Sequence, residues 1–298
     1  MKRKLLFRGT ATALVTPFKK EGAVDEATLR ELVDIQLKGR VEALVPGGIT
    51  GEVAALSDGE YAFVIETVVD QVKGRVPVIG GIGGDSTSKA ITLAKQAKER
   101  GVDAILVPPP FTGFATQEGL YQHYSAIADA IEIPMVIDNG SLRGGAFLDA
   151  STVLRLTHDV PFIVGVVEDD PAKSMEILSE RPSGFGLWSG SDLLALSLVA
   201  LGAAGAMSVA SNEVPRRFSD LVRCALKDDY ERARLLHYRL LPLMNVNLVE
   251  PNPVPVKAAL AMMGVLEENV RLPLVLLSEH LRPRLETILT ELNLLPGE

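Results

Sequence analysis

Phe162-Ile163-Val164-Gly165-Val166-Val167-Glu168-Asp169-Asp170-Pro171 reads as one strand running directly into one helix. Phe162 to Val167 are all apolar or glycine, without polar alternation, as in a strand covered on both faces. Asp169-Asp170-Pro171 then offers an N-cap followed by proline in the first helical turn.

The same joint recurs along the chain. Short apolar runs predict further strands at Ala11–Val15, Ala43–Pro46, Val76–Gly80, Ala104–Val107, Pro134–Ile137, Gly184–Trp188 and Ala206–Val209. Amphipathic stretches predict helices at Asp25–Lys38, Asp58–Lys73, Ser86–Arg100, Gln117–Ala130 and Glu213–Leu226. Ser57 and Ser86 stand as N-caps, and Gly39, Gly74 and Gly101 stand where helices should stop. Eight such alternations predict an α/β fold with a parallel sheet, closed as a (β/α)8 TIM barrel. An open doubly wound sheet is the rival, but no G-x-G-x-x-G follows the first strand. Past Asp229 the pattern changes to three helical stretches, Asp229–Asn245, Val256–Met263 and Pro273–Leu294. Residues 1–228 are therefore expected to form the barrel, and 229–298 a C-terminal helical extension of the same domain.

The 298 residues are 47% hydrophobic and 23% charged, with a formal net charge of -8, the profile of a globular protein without a nucleic-acid footprint. The start Met1-Lys2-Arg3-Lys4 is followed by too short an apolar run for a signal peptide, and no run is long enough to span a membrane. A cytoplasmic location is expected. The single cysteine, Cys224, excludes an internal disulfide and reads as a small residue buried on a helix. His123, His158, His237 and His280 are scattered, without zinc-ligand spacing.

In a barrel, function gathers where the strands end. That places Thr16, Gly48–Glu52, Pro109–Thr112, Asp138–Arg143, Val167–Asp170, Gly190–Asp192 and Ser208–Asn212 around one mouth.

Several segments carry a resemblance: Ala13-Leu14-Val15-Thr16-Pro17-Phe18, Gly48-Ile49-Thr50-Gly51-Glu52, Gln117 to Tyr124, Ser189-Gly190-Ser191-Asp192, and Asn252-Pro253-Val254-Pro255-Val256-Lys257. From about Arg8 to Leu294 the chain resembles the dihydrodipicolinate synthase / N-acetylneuraminate lyase family. The resemblance implies a lyase or aldolase using a 2-oxo acid such as pyruvate, bound as a Schiff base on a strand-6 lysine, in a homo-oligomer (dimer or tetramer). Here that position is Val167, which has no nitrogen to form an imine. The family's relay threonine falls on Ile49, its strand-5 tyrosine on Asp138, and the tyrosine shared across subunits on Thr112. The binding framework implied by the resemblance remains: Thr50 and Gly51 for a carboxylate, Arg143 as its guanidinium partner, and Gly190 and Ser208 at the mouth. The plainer reading of Arg143 is a loop or interface salt bridge.

Glu52, Asp138, Asp169 and Asp170 converge on the expected mouth, where such acids can ligate a hard divalent cation. Asp169-Asp170 reads equally as helix capping, and Glu168 should face away from the lumen by strand alternation. No resident metal and no cofactor is expected. Lys173 and Lys257 are the candidates for a relocated Schiff-base lysine, though neither falls on a strand end. Three readings stay open: a family lyase with a relocated lysine, an enzyme of altered and metal-assisted mechanism with Asp138 as base, and a non-catalytic barrel that binds a small carboxylate or serves a partner. The last is favoured because no complete catalytic set can be named.

Overall fold

The computed structural model describes residues 4–83, 86–110, 115–140 and 147–296. Its strands are β1 (Gly9–Ala13), β2 (Ala43–Val45), β3 (Ile79–Gly81), β4 (Ala104–Val107), β5 (Met135–Asp138), β6 (Ile163–Glu168), β7 (Gly186–Ser189) and β8 (Gly205–Ser208). The alternating helices are α1 (Glu26–Lys38), α2 (Asp58–Val72), α3 (Thr87–Glu99), α4 (Gln117–Ile131), α5 (Ala150–Asp159), α6 (Pro171–Glu180), α7 (Ala195–Ala200) and α8 (Pro215–Leu226). Three more follow: α9 (Tyr230–Val246), α10 (Val254–Met262) and α11 (Arg282–Glu291).

All strand pairs are parallel, in the order β2-β1-β8-β7-β6-β5-β4-β3. Between β2 and β3 the ring is completed by a parallel bridge from Leu44 to Val78 and by the Gly81 N–H donating to the Pro46 carbonyl at 2.8 Å. The expected TIM barrel with C-terminal helices is the observed fold. Ser57 closes a capping box with Glu60 at the head of α2, and Ser86 caps α3.

Some boundaries differ from the sequence pattern. β3 starts at Ile79, later than expected, because Pro77 has no N–H to give to a ladder. β1 starts earlier, at Gly9, whose N–H bonds to the Ala204 carbonyl at 3.0 Å. The stretch expected to be helical from Pro273 to Leu294 narrows to a 3₁₀ turn at Glu279–Leu281 and α11. Leu272 is 80% exposed and Val275 and Leu276 are also exposed, so the apolar residues there form no buried stripe.

One irregularity aims the site. Met135 pairs with Ile163 but Val136 pairs with Gly165, leaving Val164 as an extra residue on β6. Ile163 and Val166 consequently pack toward the helices, while Val164 and Val167 both join the cluster inside the barrel. Strict alternation would place Val164 and Val167 on opposite faces.

Trp188 fills the barrel beneath the site and stacks on Phe7, ring centroids 4.7 Å apart. The ring is admitted by glycine on two strands: a Cβ at Gly165 would lie 2.3 Å from it, and one at Gly186 2.2 Å. Gly186→Ala is therefore expected to lower stability by about 3 kcal/mol, as overpacking of a closed core does, and urea unfolding will measure it.

Helices α9 to α11 lie against α7 and α8 through one apolar cluster that includes Phe218, Leu221, Leu240, Leu243, Leu285 and Leu289. Cys224 lies on α8, half-buried and free. No described helix is long and apolar enough to cross a membrane.

Candidate functional site

A cavity of about 240 Å³ opens where the strands end. Ala13, Val45, Leu106, Val167 and Met207 form its apolar floor. Ile49 and Thr50 enter from the loop after β2, Gly190, Ser191 and Asp192 from the loop after β7, and Asn247, Pro251 and Asn252 from the α9–α10 connection. No lysine or arginine among the described residues lines it.

Of the expected binding residues, Thr50 and Gly190 line the cavity, with Ile49 and Val167 beside them. Gly51 and Ser208 stand one layer behind. The Gly51 carbonyl accepts from the Thr16 hydroxyl at 2.8 Å, and Ser208 Oγ accepts the Ser211 N–H at 2.9 Å. Arg143 and Thr112 lie outside the described residues. Asp138, buried at the end of β5, sits in register with Val167 but is not in the cavity wall.

Asp169 lines the cavity, whereas Asp170 is the N-cap of α6, its Oδ1 accepting the Ala172 and Lys173 N–H groups at 2.8 and 3.2 Å. Glu168 turns away from the lumen and ties the neighbouring loops together. Its Oε1 accepts the Asp169 and Asp170 N–H groups, each at 2.9 Å, and its Oε2 accepts Asn139 Nδ2 at 2.6 Å. The same Asn139 amide holds Leu148 through both its atoms, donating to the carbonyl at 3.0 Å and accepting the N–H at 2.9 Å. This network anchors the chain after β5 to the end of β6.

Glu52 departs furthest from expectation. It stands in a left-handed conformation (φ 56°) and forms a buried ion pair with Lys257 rather than facing a ligand. Its second oxygen accepts the Arg271 N–H at 3.0 Å. Among the described residues no group of three or more His, Cys, Asp or Glu side chains is placed to hold a metal. Glu52, Asp138, Asp169 and Asp170 thus do not make the shared cluster that a metal-assisted mechanism requires. Glu52 is spent on Lys257, and Asp170 on the helix.

Lys257, expected within the C-terminal helical extension and off the strand ends, lies on α10. It is 0% exposed and donates to the Asn269 carbonyl at 2.8 Å, with Nζ 4.2 Å from the centre of the Phe18 ring. Burial is the larger influence on its amine and pulls the pKa down to about 8 against the opposing pull of Glu52. The signal was in the sequence: Val254 to Met262 is apolar on every side, so a lysine within it has no solvent face to occupy. Lys173 is engaged elsewhere, reaching the Leu148 carbonyl at 3.4 Å and the Phe147 ring.

The cavity, its β6 floor and its flanking loops can be set against known proteins. Residues 6–292 match the Dihydrodipicolinate synthetase family. The chain belongs to this family. A 4-hydroxy-tetrahydrodipicolinate synthase of Koribacter versatilis is 44% identical over 291 residues, covering 97% of each chain. One of Acidobacterium capsulatum is 43% identical over 290 residues, covering 96% of each. Among solved structures, dihydrodipicolinate synthase from Aquifex aeolicus superposes with a TM-score of 0.95 at 38% identity, over 98% of this chain and 100% of that one. The enzyme from Acinetobacter baumannii, solved in complex with pyruvate, gives 0.94 at 36% identity, over 97% and 100%.

Within this dihydrodipicolinate synthetase-family barrel, reading the sequence missed a second set of polar residues. Glu213 and Asn247 are buried together, Asn247 Nδ2 donating to Glu213 Oε2 at 2.7 Å. Asp192 is close enough to raise the Glu213 carboxyl further. Glu213 lay at the start of an expected helix; α8 in fact begins at Pro215, and Glu213 is buried before it. Burial pushes the Asp192 carboxyl up to about 6, against donors from Ser208 and Ala210, and pushes Glu213 well above the usual carboxylate range.

A raised acid binds its proton more tightly in the folded state, so its contribution favours folding at low pH and is lost as pH rises through the folded pKa. Relative to Asp192→Asn, the wild type is expected to lose on the order of 2 kcal/mol of stability between about pH 4 and 6, and nothing further above that. Paired urea titrations across that window read the difference.

Proposed function

We propose that this chain is a dihydrodipicolinate synthetase-family barrel that keeps its mouth cavity for a small carboxylate or 2-oxo acid and does not perform Schiff-base chemistry. The supporting observation is Val167, which is 1% exposed and lies in the cavity floor, at the strand position where the family resemblance puts the imine-forming lysine. Thr50 supplies a hydroxyl in the cavity wall for the carboxylate, and Arg143 is its expected cationic partner. A relocated lysine is not supported by Lys257, which is sealed from solvent and held by Glu52 and Asn269 outside the cavity wall. We place the protein in the cytoplasm, from the short apolar run at its start and its single cysteine, and, as the resemblance implies, in a homo-oligomer, dimer or tetramer.

An imine with pyruvate acidifies the methyl group and exchanges its hydrogens with solvent, with or without a second substrate. Proton NMR of pyruvate in heavy water is the test. The expected result is methyl exchange no faster than in buffer. Exchange accelerated by the protein overturns the proposal.

A further inference from the structure

Three buried oxygens lack a hydrogen-bond donor among the described residues: Asp192 Oδ1 and Asn247 Oδ1, on residues of the cavity wall, and Glu213 Oε1, on the carboxyl that holds Asn247 from behind. Asp192 and Asn247 belong to the cavity wall, and Asn247 is only 4% exposed. Buried polar atoms in folded proteins are nearly always partnered, so a set of orphaned acceptors beside a cavity points to a donor that arrives with a ligand.

The partners already present narrow what that donor is. The Asp192 carboxyl already accepts from Ser208 and from the Val209 and Ala210 N–H groups, the last at 2.9 Å to Oδ2, and Glu213 Oε2 accepts Asn247 Nδ2. Asn247 Nδ2 gives one N–H to Glu213, and the amide oxygen is left without a donor. Glu213 is thus a positioning residue that sets the polarity of the amide in the wall. Neither acid has a cationic side chain paired with it among the described residues, although Glu213 is 4% exposed. A buried carboxylate without a counter-charge is costly, and a cation brought by a ligand removes that cost. Burial raises both carboxyls, and a cation held beside them would act in the opposite direction.

Resting on the reading of the mouth as the ligand site, we propose that the Asp192–Asn247 wall, backed by Glu213, is a subsite for a primary alkylammonium group. An ammonium ion carries three donors and no acceptor, which suits a wall of acceptors. The alkyl chain would lie on Met207, Met244 and Leu248, which line the same cavity. That apolar surface is also why the occupant is an organic cation and not a bare alkali ion, whose remaining coordination would have to come from methionine and leucine side chains.

Thermal denaturation of the full-length protein with n-butylammonium chloride, compared with potassium chloride at equal ionic strength, tests this, because a ligand of the native state raises the apparent Tm. The expected result is a concentration-dependent rise with n-butylammonium only, weakened at least tenfold in apparent affinity by Asp192→Asn and by Asn247→Leu. Both variants are checked for folding by circular dichroism. An equal rise with potassium chloride, or an n-butylammonium rise unchanged in both variants, overturns the subsite. So does the absence of any n-butylammonium response. Pyruvate with cyanoborohydride, run on the same sample, separates the two claims. A lysine adduct there overturns the imine-free reading and leaves the ammonium result standing; no adduct with no n-butylammonium response overturns the subsite alone.

Discussion

Val167→Lys is expected to turn a protein that leaves pyruvate unmodified into one that captures it as a reducible adduct. Val167 faces the lumen because the extra residue at Val164 rotates the end of β6, so a lysine there projects into the cavity of about 240 Å³. Ala13, Val45, Leu106 and Met207 around it keep water away from the amine. Such a setting lowers a lysine pKa and leaves more of the neutral nucleophile at neutral pH. Capture is not turnover. Ile49 and Asp138 stand where the family resemblance puts proton-relay groups, and positioned acid–base catalysis typically supplies about 10²–10⁴-fold in rate. The variant should therefore trap pyruvate while condensing it at least ~10²-fold more slowly than a catalytic relative. Intact-protein mass after reduction measures the first, and steady-state assay the second. A folded variant that stays unlabelled would show that position 167 does not present its side chain to the ligand.

The second large effect concerns Lys257. Lys257→Met is expected to cost roughly 3–5 kcal/mol, because it strands the Glu52 carboxylate in a buried environment. Glu52 keeps only the Arg271 N–H at 3.0 Å. Much of the loss should return in the double variant Glu52→Leu/Lys257→Met, since removing both charges leaves neither one unpaired. Urea unfolding of the two single variants and the double variant gives the coupling directly. If Lys257→Met alone is neutral, the ion pair does not hold the β2 loop to α10.

The barrel was legible because its information is local and repeated. Each apolar run is too short for a helix, several amphipathic stretches begin at a capping residue, and Ser57 and Ser86 cap the helices they were expected to cap. The strand-end rule likewise found Thr50, Val167, Asp169, Gly190 and Asp192 for the cavity wall. It failed where a side chain's environment is made by distant chain. The charge of Glu52 is answered by Lys257, 205 positions away, and neither local sequence advertises the other. Glu213 is likewise paired with Asn247, 34 positions away. The apolar residues between Leu272 and Leu276 read as a helix face, yet most of them meet solvent. Alternation along β6 placed Glu168 on the outer side, where it is, but it could not reveal the bulge that turns both Val164 and Val167 inward.

Reductive trapping of the wild-type protein tests the central claim most directly. The full-length chain is incubated with excess pyruvate and cyanoborohydride, and its intact mass is read beside that of a catalytic relative treated identically. The expected result is an unchanged mass for this chain and a single pyruvate adduct on the relative. A stoichiometric adduct on this chain, mapped by peptide mass to Lys257, Lys173 or any other lysine, would contradict it.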